Sequence, residues 1–468
     1  MKKICLLLLS FSSLSFSSNS PILFDRHFSP YASSYDLLFI ERELIGFQNR
    51  YKNYLFPLKN SESNNKNLDT IQDELELKRL PTPPLKVRLL GRSFRLLELN
   101  LFWAPLNQMI ATTQHEIFGH GYRVRDLGKN RAEVTGYQIK MPYPYGKGGG
   151  ATNIKMNCPI SLSEMILIDI AGTEANSILA HHTTLSWLSK NRVDGREASL
   201  HIAASCDLPL YILSIEKARD IYTSYTQEKG HDITNYLMEL NFLYPSTKSL
   251  KTQLSSLREK AGLMLLTDLF SYYAIASEIQ YIWSGKSISL TRFNTPIRFY
   301  MPTYRLSLSP FGPEDIFGNY LLLKFGEPSY FYFKKGSFSQ NTYLGFGFEN
   351  QGIFKFSSHL FGIKFDFWNQ PKLLIYIPEN HNVLAEVNLH DTSKDYHIQF
   401  NHKENGYQKS ELFSKKMGSA LSVIYQYEFD PTQKNALYTQ LGFKTRGYLP
   451  GESIRAGLIL RCGMSLFF

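Results

Sequence analysis

Cysteine is scarce, with four in 468 residues, and Cys5 falls in the leader-like start of the chain. Cys158, Cys206 and Cys462 cannot all pair within one chain, which excludes a disulfide scaffold. One bridge such as Cys158–Cys206 is compatible with that count, and three free thiols are the plainer expectation. Long apolar runs are also missing. Past residue 17 no uninterrupted stretch reaches the roughly 20 residues a membrane helix needs, so any insertion into a bilayer falls to strands. The net charge is +10, but the basic residues are spread along the chain and form no stripe with interleaved aromatics. A nucleic-acid partner is therefore not expected. The G-x-S-x-G signature of serine hydrolases is absent. "GKGGGAT" (146–152) lacks the order and spacing of a phosphate-binding loop and reads as a mobile loop.

Aromatics are plentiful, with 29 Tyr and 33 Phe, and many lie in the last third of the chain. The first residues, "MKKICLLLLSFSSLSFS", pair Lys2 and Lys3 with an apolar stretch and place Ser15 and Ser17 before a plausible cut. Residues 1–17 are expected to be a secretory signal peptide. Residues 18–85 read as an N-terminal segment and a polar linker that ends in a proline cluster. From 86 to 285 the apolar spacing is helical, and one helix is expected to end before Pro105 and another to begin with it. Residues 133–141 alternate as a short strand. "SLSEMILIDIAGTEANSILAHHTTLSWLSKN" (161–191) starts with a Ser161–Glu164 capping box and is apolar nearly all round, as a buried helix is. Further helices are expected at 207–228, 232–243 and 248–283.

After about residue 290 the period becomes two. Ile454, Ala456, Leu458, Leu460, Cys462, Met464, Leu466 and Phe468 form one apolar face of the last strand. Leu421, Val423, Tyr425, Tyr427 and Phe429 do the same in another. The expected fold class is α+β: a mainly helical metal-binding domain (86–285), then an antiparallel β-barrel (290–468) of roughly 8–12 strands. The final aromatic resembles the end of bacterial outer-membrane barrels, and the expected location is the outer membrane of a Gram-negative bacterium.

Chemistry is concentrated in "HEIFGHG" (115–121). The motif is one residue longer than H-E-x-x-H. On a regular helix, residues four apart sit about 40° apart around the axis and residues five apart about 140°. His115 and His120 therefore share a face only if the helix carries a π-type irregularity; otherwise Glu116 and His120 are the natural pair. The stretch H-E-x-x-G-H resembles the zinc motif of the dipeptidyl peptidase III metallopeptidases. That resemblance implies His115 and His120 as zinc ligands, Glu116 as catalytic acid/base, and a later glutamate as third ligand. Glu174 in "AGTEANS" stands where that glutamate is expected, and Gly172 would let the two helices approach. A lone buried carboxylate needs a metal or another partner. Tyr122, Arg123, Tyr211 and His231 are candidates for holding a developing oxyanion, and His181 for supporting Glu174. His182 and His201 carry no motif. The expected function is a Zn2+-dependent peptidase of the outer membrane, acting on peptides or envelope proteins. The alternative is a non-enzymatic channel or adhesin with a helical plug and a structural His/Glu cluster.

Overall fold

A computed structural model describes residues 21–55, 85–216, 231–324, 327–339, 341–371, 374–377, 388–392, 395–399, 408–411, 417–430 and 435–465. The leader (1–17), nearly all of the polar stretch before residue 85, and Phe468 lie outside these residues.

The chain enters through strand β1 (Ile22–Phe24) and helix α1 (Pro30–Leu55). A helical run then extends from Leu85 to Leu127. It comprises α2 (Leu85–Glu98), a π turn (Leu99–Trp103), α3 (Ala104–Thr113), a second π turn (Gln114–His120) and α4 (Gly121–Leu127), with helical backbone angles at each junction. The expected break before Pro105 does not occur. The first π turn lies just ahead of the proline and takes up the missing N–H and the bulk of the ring.

A hairpin follows, β2 (Ala132–Ile139) and β3 (Gly150–Met156). Part of the expected mobile loop, Gly150–Asn153, is thus ordered as strand. Helix α5 (Leu162–Lys190) starts as its sequence dictates: Ser161 Oγ accepts from the Glu164 N–H, and Glu164 Oε2 accepts from the Ser161 N–H. It ends where Asn191 turns left-handed, at φ 52°. Shorter helices follow: α6 (Gly195–Ser205), α7 (Asp207–Leu213), α8 (Asp232–Leu243), α9 (Leu250–Thr267) and α10 (Leu269–Ser284). Asp268 splits the single helix expected at 248–283.

The remaining chain builds one large antiparallel sheet. Its strands are β4 (Ile297–Ser309), β5 (Gly312–Leu323), β6 (Ser329–Phe338), β7 (Asn341–Phe356), β8 (His359–Asn369), β13 (Met417–Asp430), β14 (Asn435–Lys444) and β15 (Gly457–Ser465). Between β8 and β13, β9 (Leu374–Ile377) pairs with β12 (Gln408–Glu411), and β10 (Asn388–Thr392) with β11 (Asp395–Gln399). The sheet order is β1-β15-β14-β13-β8-β7-β6-β5-β4, nine strands. The α+β class and the antiparallel sheet agree with the sequence expectation. Among the described residues the sheet has two edges, β1 and β4, and no ladder joins them. Residues 454 and 456 precede β15 and are not in the sheet. Within the expected N-terminal segment, β1 pairs with the last strand in the register Leu23↔Gly463.

The strands alternate as expected, but the faces are reversed relative to a water-soluble sheet. Leu421, Val423, Leu441, Phe443, Leu458 and Leu460 are exposed, whereas Ser422, Gln440, Lys444 and Arg461 on the opposite face are buried. The helices pack on that polar inner face. Tyr236 of α8 donates to Ser309 O (3.1 Å), and His181 of α5 meets the Tyr320 hydroxyl at 2.7 Å. Inner charges are paired: Lys334 with Glu314 (3.2 Å), Lys364 with Glu349 (3.3 Å), and Arg461 with Glu452 (2.9 Å). An apolar core that includes Ile166, Leu167, Ile212, Leu237, Leu308 and Phe311 joins the helices to the first strands. Each such side chain contributes about 1.5–3 kcal/mol on burial.

Candidate metal centre

The second π turn determines which side chains converge. Its i→i+5 hydrogen bonding brings His115 and His120 to one side, with ring centroids 4.9 Å apart. The irregularity expected from the motif's extra residue is present. Close helix packing depends on two glycines. A Cβ on Gly119 would lie 2.6 Å from Ala171 O, and one on Gly172 would strike the His115 ring. Only glycine at both positions lets the π turn lie directly on α5.

Both imidazoles are oriented from behind. His115 Nδ1 lies 2.9 Å from Asp207 Oδ2, and His120 Nδ1 lies 2.6 Å from the Ile168 carbonyl oxygen. The carbonyl can only accept, so His120 carries its proton on Nδ1 and turns the Nε2 lone pair inward. The Asp207 carboxylate imposes the same tautomer on His115. The two Nε2 atoms meet one carboxylate oxygen, Asp232 Oδ2, at 3.4 Å for His115 and 3.3 Å for His120. These separations are long for hydrogen bonds. Two ligands about 2.0–2.1 Å from one tetrahedral ion stand about 3.3–3.4 Å apart. Two imidazoles and one carboxylate also match the donor set of hydrolytic zinc sites, so the residues present fit a zinc ion.

Carboxylates set the protonation of the two histidines. Burial lowers the pKa of His115, but Asp207 and Asp232 outweigh it and hold the value well above 6.5. The same competition, with Asp232 as the main opponent of burial, raises that of His120. Burial raises the pKa of Asp232, yet the two histidines reverse this and hold it well below the ordinary carboxylate range. Behind it, Asp169 and Glu239 share a hydrogen bond; burial and their mutual repulsion push Asp169 up, and burial takes Glu239 to about 8. Both carboxyls are thus held above the ordinary carboxylate range.

Glu116 follows His115 on the same π turn and is buried. Thr152 of β3 donates to its Oε2 (2.8 Å) and to its backbone oxygen (3.0 Å). β3 pairs only with β2, so its other edge carries no strand among the described residues.

Glu174 is not brought to the histidines, and the expectation that it is the third ligand is corrected by its surroundings. Its carboxylate accepts from Arg123 Nη2 (3.0 Å), the Tyr448 hydroxyl (2.7 Å) and the Gly451 N–H (2.5 Å). Both terminal nitrogens of Arg123 are engaged there, since its Nη1 also donates to Glu452 O (3.1 Å), and its Nε is buried. Arg123 is therefore unavailable as an oxyanion donor, and Tyr122 is buried. Tyr211 and His231 do border the site. They stack at 4.3 Å, and Tyr211 lies 6.4 Å from the His115 ring.

His201 is a core residue packed at a tilt against Trp187, with ring centroids 4.8 Å apart. His181 supports Glu349 rather than Glu174, at 3.6 Å. With His182 these form a second group of two histidines and a carboxylate. The three remaining cysteines are free thiols. Sequence reasoning missed Asp207 and Asp232, each of which opens a helix as the residue after the N-cap. Their only signal is an acidic residue in a helix first turn, which by itself indicates a dipole partner. No protein-family model, curated protein or solved structure matches this chain.

Proposed function

We propose that this protein is a zinc-dependent hydrolase of the peptidase kind, held in an outer membrane by its sheet. The observation that carries the chemistry is the convergence of His115 Nε2 and His120 Nε2 on Asp232 Oδ2 at 3.3–3.4 Å, with Glu116 alongside. Zinc bound there would lower the pKa of a coordinated water to about 7. Glu116 is the group that would take up the water's proton. The Thr152 hydroxyl fixes one of its oxygens and leaves the other for that task. Tyr211, stacked on His231 and beside the His115 ring, is the candidate for oxyanion donor. Peptide is the favoured substrate class because a strand with an open edge passes Glu116, and extended chains add to such edges through main-chain hydrogen bonds.

The membrane reading rests on the reversed sheet. Exposed Leu, Val and Phe on one face and buried ion pairs on the other suit lipid outside and a polar, helix-filled interior. Closure of the sheet into a barrel belongs to the same proposal.

The deciding experiment is a metal assay on the mature chain purified in detergent. About one zinc per chain, removable by chelator together with hydrolysis of a mixed peptide library and restored on reloading, is the expected result. A chain free of metal after purification in zinc-containing buffer would instead make the cluster structural and return the channel or adhesin reading. For the membrane claim, the folded chain should need detergent and should run differently in gels before and after boiling.

A further inference from the structure

The longest exposed apolar stripe outside the sheet lies on α2 and α10. On α2, Leu90, Phe94 and Leu97 recur at helical spacing and are 73%, 61% and 55% exposed. On α10, Ile275 and Ile279 are exposed at the same spacing, and Trp283 follows at the margin with one ring face under Arg92. No residue of α2 is buried. The two helices are fastened along their other sides. Arg95 Nε donates to the Ile282 carbonyl (3.0 Å), and the Arg92 guanidinium lies 3.4 Å over the Trp283 ring. The fastening consists of charged side chains, and the apolar side is left outward.

The charge on α2 is one-sided. Lys86, Arg88, Arg92 and Arg95 face a single acid, Glu98, which sits at the inner end and accepts from Trp103 Nε1 (3.1 Å) and the Tyr281 hydroxyl (2.9 Å). An apolar stripe backed by arginine and lysine, with a tryptophan at its margin, is the pattern of a helix that lies in a bilayer interface. A water-facing helix would not present leucine and phenylalanine there, and Lys86 and Arg88, exposed and outside the contact with α10, add cations that an apolar protein partner would not call for. We infer that α2, with α10, docks on an anionic phospholipid leaflet, with its apolar side in the acyl boundary and Lys86 and Arg88 among the headgroups. The inference rests on the reading above only in requiring a bilayer beside the sheet; it needs nothing of the metal chemistry.

The two membrane claims can be tested separately in one chain. Cys158, Cys206 and Cys462 are replaced by serine, and an environment-sensitive dye is placed through Phe94→Cys on α2 or Leu458→Cys on the sheet. The full chain is reconstituted into vesicles of phosphatidylcholine with or without phosphatidylglycerol. The dye at position 94 should brighten about threefold with phosphatidylglycerol and be quenched by brominated acyl chains. Lys86→Glu with Arg88→Glu should abolish the preference for the anionic lipid. A dye that stays in water at 94 while the one at 458 enters lipid overturns the docking and leaves the sheet reading intact. Lipid entry at 94 that ignores phosphatidylglycerol removes the anionic leaflet from the proposal. Disulfide cross-linking between copies through position 94 would assign the stripe to a second chain and overturn it as well. Failure at both positions would count against the membrane reading as a whole.

Discussion

Two groups in this chain each set two histidines and a carboxylate within 4.8 Å of one another: His115, His120 and Asp232, and His181, His182 and Glu349. Ligand types and spacing do not separate them; the surroundings do. In the first, a carboxylate and a carbonyl hold the Nδ1 atoms and direct both lone pairs inward. In the second, hydroxyls of Tyr320 and Ser34 meet Nδ1, and a hydroxyl can donate as readily as accept. The charges acting on the first pair come mainly from Asp207, Asp232 and Glu116. The carboxylate of the second is already matched by Lys364 at 3.3 Å and also accepts from Tyr31 and Gln351. In the first group, protons on His115 and His120 answer the carboxylates, and a cation can replace them. The second is a neutralised polar network inside the sheet.

The largest expected difference is metal content. His120→Ala or Asp232→Ala should take bound zinc from about one per chain to a few percent, whereas His182→Ala and Glu349→Gln should leave it unchanged. Equal loss from both sets, by elemental analysis of folded protein, would erase the distinction. Next in size, Glu116→Gln should keep the zinc and slow peptide hydrolysis by about 10²–10⁴-fold. A variant that stays active would move the proton-accepting role to another group.

The same contrast shows how much was legible in the sequence. The count between His115 and His120 left either a π turn or a Glu116–His120 pair, because no regular helix brings residues five apart together, and the resemblance of H-E-x-x-G-H pointed to the π turn that is present. The Ser161–Glu164 cap and the closeness allowed by Gly172 were equally local and were readable. Asp232 was not, since it lies 117 positions from His115 and carries only the appearance of a helix-start acid. Glu174 misled for a physical reason. A buried carboxylate does need a partner, but a guanidinium 51 positions earlier supplies it as well as a metal would. The alternation of the strands was visible, although alternation by itself does not say which face lies outward; the pairing of three-residue β1 with β15 was not visible, because so short a strand has no period to read.

Charge balance as the separating factor can be tested from the second side. Lys364→Met should destabilise the detergent-folded chain by about 3–5 kcal/mol, since it leaves Glu349 buried and without its cation. If charge alone keeps metal out of this group, added zinc should recover part of that loss in a denaturation titration. No recovery would mean that geometry, with His181 and His182 adjacent on a regular helix, is what excludes it. A smaller effect is expected from Asp207→Asn, which keeps a hydrogen-bond acceptor for His115 and removes the charge. Zinc affinity, from competition with a chelating dye, should fall about 10–100-fold.

The smallest expected effect is a difference in the sign of pH dependence. Burial holds the pKa of His182 well below 6.5 despite the pull of Glu349, and it lowers that of His181 as well. Below about pH 6.5 the unfolded chain takes up protons that the folded one refuses. Stability therefore falls on acidification, by about 1.4 kcal/mol per pH unit for His182. In the chelated protein the first group has the opposite sign. The folded chain keeps protons on His115 and His120 that the unfolded chain has released, so their contribution is complete below about pH 6.5 and is lost as pH rises through the elevated values. Denaturation midpoints across about pH 5 to 8 separate the two. His182→Gln should flatten the acid limb, and zinc should flatten the alkaline one by replacing the protons on the first pair. If zinc instead altered the acid limb, the metal would be acting at His181 and His182, and the assignment of the two groups would have to be exchanged.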